Sequence, residues 1–135
     1  MILQVDLTSE TPIYQQLRDR IVEAIAEGTV AEGDSLPTTR GLAADFGINF
    51  HTVNKAYDQL RQQGLVRLTR KTGAVIHRDA ASGPPESGFV TEWRPRLRTL
   101  LAEAVAHGMA APDIVGVCTE LLTAFTEAGQ EGTQS

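Results

Sequence analysis

The chain has 135 residues, 41% of them hydrophobic and 21% charged, a profile that suits one modest soluble core or a small domain with an appendage. No apolar run approaches the roughly 18 residues needed to span a bilayer. The first residues lack a basic start, so neither signal peptide nor anchor is expected. The single cysteine, Cys118, excludes an internal disulfide framework, and a cytoplasmic address follows by default.

A net charge of −5 speaks against a nucleic-acid partner only on average. From Leu36 to Arg78, seven basic residues stand against two acidic ones, a local balance of +5, whereas Asp79 to Ser135 holds eight acidic residues and three arginines. Screening limits the reach of a charge to about 8–10 Å, so the local field decides whether phosphates are bound.

Met1 to Thr8 alternates apolar and polar residues, as a short strand or extended arm does. Thr8-Ser9-Glu10-Thr11-Pro12 carries helix-start signals, a hydroxyl cap and a proline in the first turn. Ile13, Leu17, Ile21 and Ile25 then recur at a spacing of four, one apolar stripe of a helix ending at Gly28. After the loop Ala31-Glu32-Gly33-Asp34, Thr38 or Thr39 can cap a second helix that buries Leu42, Ala43 and Phe46 and stops at Gly47. Asn49 opens a third helix, with Val53, Ala56, Tyr57 and Leu60 on its apolar side and Gly64 at its end. Leu65–Leu68 and Ala74–Ile76 read as a hairpin around Thr69-Arg70-Lys71-Thr72-Gly73, a basic turn with a glycine available for positive φ.

Asp79 to Gly88 has linker composition, including Pro84-Pro85. Beyond it, Trp93, Leu97, Leu100, Leu101, Ala104 and Val105 form a helical stripe that stops at Gly108. A last helix starts at Ala111-Pro112-Asp113 and carries Ile114, Val117, Cys118, Leu121, Leu122 and Phe125. The expected organisation is therefore a winged helix-turn-helix over residues 1–78, a linker over 79–91, a helical dimerisation segment over 92–128 and a disordered tail over 129–135. The fold class is mainly α with a small β-hairpin.

In a helix-turn-helix the second helix enters the major groove, its early residues facing base edges. With Val53, Ala56, Tyr57 and Leu60 turned to the core, the helix presents Phe50, His51, Thr52, Asn54, Lys55 and Arg61 outward. Asn54 either pairs with adenine through its amide or is an ordinary solvated residue. His51 either donates to a base or phosphate or has no role. Phe50 either touches a thymine methyl or tucks back onto Ile48. Thr52 and the free amides of the first turn suit a phosphate, and Lys55 and Arg61 suit phosphates or solvent. Arg40 sits in the first turn of its helix, where the dipole disfavours a cation, so it awaits an anionic or guanine partner or a nearby carboxylate. Arg70 and Lys71 at the hairpin tip can reach an adjacent groove or phosphate.

Pro12-Ile13-Tyr14-Gln15-Gln16-Leu17, Gly33-Asp34-Ser35-Leu36-Pro37-Thr38-Thr39-Arg40-Gly41-Leu42-Ala43 and Asn49-Phe50-His51-Thr52-Val53-Asn54-Lys55-Ala56-Tyr57 together closely resemble the GntR family of bacterial regulators, in order and over about residues 1–78. The two-helix remainder is similar to the YtrA subfamily, whose members dimerise through such a segment. The resemblance implies operator contacts at Thr38, Arg40, Asn49, His51, Thr52, Asn54 and the wing tip, here Arg70, Lys71 and Gly73. Two positions depart from the family pattern. Phe50 stands where a small residue or arginine is usual, and the first of two common wing glycines is replaced around Lys71.

The last two helices cannot bury Trp93, Leu97, Leu101, Val105, Ile114, Leu121, Leu122 and Phe125 against one another. At roughly 25 cal/mol per Å2 of apolar area, leaving them wet forfeits many kcal/mol. A second copy of the chain is the simplest cover, and a two-fold dimer calls for an inverted-repeat operator; folding back onto the chain's own N-terminal domain is the other solution. No cofactor or metal is expected, since His51, His77 and His107 show no ligand spacing. The C-terminal segment is too short to enclose a pocket of several hundred Å3. An effector would have to bind at the dimer interface, near Trp93 and Arg94-Pro95-Arg96-Arg98. The expected function is a dimeric operator-binding repressor; the competing reading is a winged-helix module that binds protein rather than specific DNA. An enzyme is a distant third, with no nucleophile–base pair or phosphate loop in the chain.

Overall fold

The computed structural model describes residues 3–70 and 73–133. Lys71, expected at the hairpin tip, lies outside the described residues, as do Met1, Ile2 and Thr72. Five helices and one hairpin follow one another as α1 (Ile13–Glu27), α2 (Thr39–Phe46), α3 (Phe50–Gln62), β1 (Val66–Thr69), β2 (Gly73–Ile76), α4 (Phe89–Ala106) and α5 (Ala111–Thr133).

The apolar stripe of α1 buries Leu17, Ile21, Ala24 and Ile25, and Gly28 closes the helix in the left-handed conformation at φ 80°. Its start differs from the expectation. Pro12 itself is the N-cap and no hydroxyl caps the helix, because Ser9 Oγ is engaged by the Thr11 amide and Thr8 Oγ1 by Asp6. The N-terminal arm forms no strand among the described residues. Leu3 and Val5 pack on the core, while the buried Gln16 amide binds the Asp6 N–H and the Asp6 and Thr11 carbonyls.

Thr38 Oγ1 caps α2 by accepting the Gly41 N–H at 3.0 Å, and Asn49 Oδ1 caps α3 by accepting the His51 N–H at 2.9 Å. Leu17, Ile21, Val53, Leu60 and Ile76 have no exposed surface; burying a side chain of this size contributes about 1.5–3 kcal/mol. They bring α1, α2, α3 and the hairpin around one core.

The hairpin is antiparallel, pairing Val66 with Ile76 and Thr69 with Gly73, one residue nearer the turn than expected on each strand. Its outer edge is covered. Gly33 and Leu36 donate to the carbonyls of Ile76 and Ala74, each at 2.9 Å, and Ile76 donates back to Asp34 at 2.8 Å. The segment before α2 thus serves as a third ribbon of the wing.

The linker is ordered against this unit. Asp79 accepts the amides of Glu32 at 2.9 Å and Ala81 at 2.7 Å, and the Arg78 guanidinium donates to the carbonyls of Gly83 and Pro84. Those backbone donors, that of Glu32 first, hold the Asp79 carboxyl below its usual range. The helix α4 begins at Phe89, inside the stretch expected to be linker, since Phe89 and Val90 extend the Trp93 stripe by one turn and the Phe89 ring stacks on Trp93 at 6.3 Å. The helix α5 continues to Thr133, into the stretch expected to be a disordered tail; no proline follows Pro112 to stop it. Among the described residues no helix is long and apolar enough to cross a membrane.

Folding back onto the N-terminal domain occurs in part. The helix α5 lies against α1 of the same chain, with Ile114 and Phe125 half-buried. Even so, α4 buries no residue at all. Trp93, Val105, Leu121 and Leu122 remain 41%, 62%, 58% and 66% exposed.

Candidate nucleic-acid interface

The outer side of α3 is free. His51, Asn54 and Lys55 are exposed and Thr52 is half-buried, while Val53, Ala56, Tyr57 and Leu60 face inward. This follows from the 3.6-residue period: four apolar positions on one side of a 13-residue helix leave the polar ones nowhere else to point. The N-termini of α2 and α3 are positive dipole ends, and Arg40, Asn49 and Thr38 stand at them.

Between α3 and the wing runs an open groove of about 580 Å3. Pro37, Thr38, Thr39, His51, Asn54, Lys55, Tyr57, Asp58, Leu68, Gly73 and Ala74 line it. Thr38, His51, Asn54, Lys55 and Gly73 of the expected site thus meet along one concavity. Arg70 is exposed at the hairpin turn, and Gly73 holds φ 75°, the left-handed conformation expected there. Arg61 is less free than the outward reading of α3 implied, being paired with Asp58 at 2.6 Å.

Arg40 makes no ion pair among the described residues. Its guanidinium carbon lies instead 4.6 Å from the centroid of the Phe50 ring, and the His51 ring lies 4.1 Å from the same centroid. Phe50 is half-buried and, like Ile48, packs on the core. Lys55 spans the seam between α1 and α3, its Nζ 3.9 Å over the Tyr14 ring.

Three supports of this surface escaped sequence reasoning. The Tyr57 hydroxyl donates to the Pro37 carbonyl at 2.7 Å and so ties α3 to the residues that start α2; burial pushes that phenol well above its ordinary range. Tyr14 is the platform under Lys55. The Leu36–Ala74 hydrogen bond joins the wing to the same segment. A tyrosine at a helix position otherwise filled by pure hydrocarbon was the available signal for the first, because a buried hydroxyl requires a partner.

The chain matches the family of bacterial regulatory proteins named gntR over residues 13–76. It is 34% identical over 108 residues to the HTH-type transcriptional repressor YtrA of Bacillus subtilis (strain 168), covering 80% of this chain and 82% of that protein. The crystal structure of a transcriptional antiterminator from Listeria monocytogenes EGD-e superposes with a TM-score of 0.79 at 25% identity, over 90% of each chain. YtrA from Sulfolobus acidocaldarius, a GntR-family transcription factor, superposes with a TM-score of 0.60 at 38% identity, over 78% of this chain and 99% of the other. With a free polar α3, a wing beside it and two appended helices, the chain belongs to the gntR family of bacterial regulatory proteins and is a DNA-binding transcriptional regulator of YtrA-like build.

Proposed function

We propose that the chain is a dimeric repressor that seats α3 in the major groove of an inverted-repeat operator and acts in the cytoplasm by occupancy rather than by catalysis. The single observation that carries the reading is the outer face of α3, where exposed His51, Asn54 and Lys55 border a groove whose other wall is the wing. In this reading Thr52, Asn49 and the positive dipole end of α3 bind phosphate. Asn54 and His51 face base edges, Arg40 and Thr38 approach from the start of α2, and Arg70, Lys71 and Gly73 meet the flanking backbone. The exposed stripe of α4 and α5 meets the same stripe of a second copy, which sets two copies of α3 on one face of the duplex. Repression is supported by the function that the Bacillus relative's name states.

The test is selection of duplexes from a random pool by the full chain, followed by fluorescence anisotropy on the winning duplex. A palindromic winner is expected. Its affinity should fall steeply with salt and weaken by roughly 5- to 150-fold in Arg40→Ala, the range for losing one bidentate base contact. Enrichment of no sequence above non-specific level would overturn the reading and favour a protein partner.

A further inference from the structure

We propose that Phe50 is a positioning residue for DNA reading, its ring holding the Arg40 guanidinium in place before the duplex arrives. The inference rests on the operator-binding reading above and adds a role for a residue that makes no contact with DNA through that ring face.

Phe50 is the first residue of α3 and lies between Asn49 and the His51 amide that the Asn49 side chain caps. Its side chain is half-buried and packed on the core, so the ring is an anchored surface rather than a mobile one. Arg40 belongs to a different helix, is exposed, and has no carboxylate or carbonyl partner among the described residues; its guanidinium carbon sits 4.6 Å from the ring centroid. A guanidinium is planar, weakly hydrated and suited to stacking on an aromatic face. A stacked guanidinium keeps its in-plane N–H donors available, and those are the donors that pair bidentately with a guanine edge or a phosphate. An unstacked arginine has several freely turning bonds to order upon binding, which weakens the complex. His51 completes the arrangement, its ring 4.1 Å from the Phe50 centroid. The ring is thus shared between Arg40 and His51, and of the two His51 lines the groove.

The test is a double-mutant cycle on the duplex selected by the wild-type chain, using Phe50→Leu, Arg40→Ala and the pair, with Phe50→Trp as the conservative replacement. Phe50→Leu should weaken that duplex by about 2- to 30-fold, the range spanned by exposed and desolvated cation–π contacts. It should have no further effect once Arg40 is alanine, and Phe50→Trp should retain wild-type affinity. Independently of DNA, the Arg40 δ protons of the free wild-type chain should show an upfield ring-current shift that Phe50→Leu abolishes, a readout that loss of packing alone does not produce. Multiplicative effects of the two substitutions, or no ring-current shift in the wild type, would overturn the role of Phe50 and leave operator binding intact. A wild-type chain that selects no duplex overturns both.

Discussion

Replacing Tyr57 by phenylalanine removes one oxygen and leaves the ring in place. Tyr57 is 4% exposed and its hydroxyl donates to the Pro37 carbonyl across 2.7 Å, bridging residues 20 apart in sequence. A hydrogen bond of this kind contributes about 1 kcal/mol net, and the cost approaches roughly 2 kcal/mol where the acceptor is left without a partner. Pro37 is exposed, so water can replace the phenol and the lower figure applies. Urea unfolding of Tyr57→Phe should therefore show about 1 kcal/mol less stability at an unchanged slope. The buried hydroxyl also gives a pH signature. Burial holds the phenol above its ordinary value of 10.0, so the folded chain keeps a proton that the unfolded chain releases. Its contribution is fully present below pH 10 and is lost as pH rises beyond it, by up to about 1.4 kcal/mol per pH unit for one group. The wild type should lose stability above pH 10 more steeply than Tyr57→Phe. Equal stability of the two proteins at pH 7 and parallel decline above pH 10 would refute the latch between α3 and the start of α2.

Thr38→Ala deletes the oxygen that accepts the Gly41 amide; a loss of about 1 kcal/mol in chemical unfolding is expected, restored in large part by Thr38→Ser. Asp79→Ala removes the acceptor of the Glu32 and Ala81 amides, and hydrogen exchange at both should accelerate. In the wild type the protection of both amides, taken relative to the intrinsic exchange rate at each pH, should likewise fall with acid, because a carboxyl whose folded pKa is depressed stabilises above its ordinary value of 3.8 and ceases to do so as pH falls through the folded value. Leu122→Glu places a charge on a side chain that is 66% exposed in one chain. Sedimentation equilibrium should show a shift from dimer to monomer with the melting temperature of the N-terminal unit unchanged, and an unaltered dimer would show that the stripe is not the interface.

The helices that bear the candidate site could be located from their residues because the signals are local. Period-four apolar residues in α1, and Val53, Ala56, Tyr57 and Leu60 in α3, leave one orientation per helix. The caps Thr38 and Asn49 bond to amides two or three residues away, so their role is written in neighbouring letters. Local signals compete elsewhere in the chain. Thr8, Ser9 and Thr11 all offered to cap α1, yet their hydroxyls served the preceding turn or none. The apolar pair Phe89 and Val90 carried α4 a turn into a stretch whose glycines, serines and prolines suggested no helix.

Sequence by itself determined which apolar residues of α1 and α3 face the core, that helices end at Gly28 and Gly47 and begin at Asn49, and that a basic half precedes an acidic one. Tertiary structure alone decided what Arg40, Lys55 and Tyr57 touch. Their partners Phe50, Tyr14 and Pro37 lie on other elements, and a contact between elements depends on how helices cross rather than on any period within one. It also decided that α5 rests on α1 while α4 stays bare, since an apolar stripe carries no record of which surface covers it.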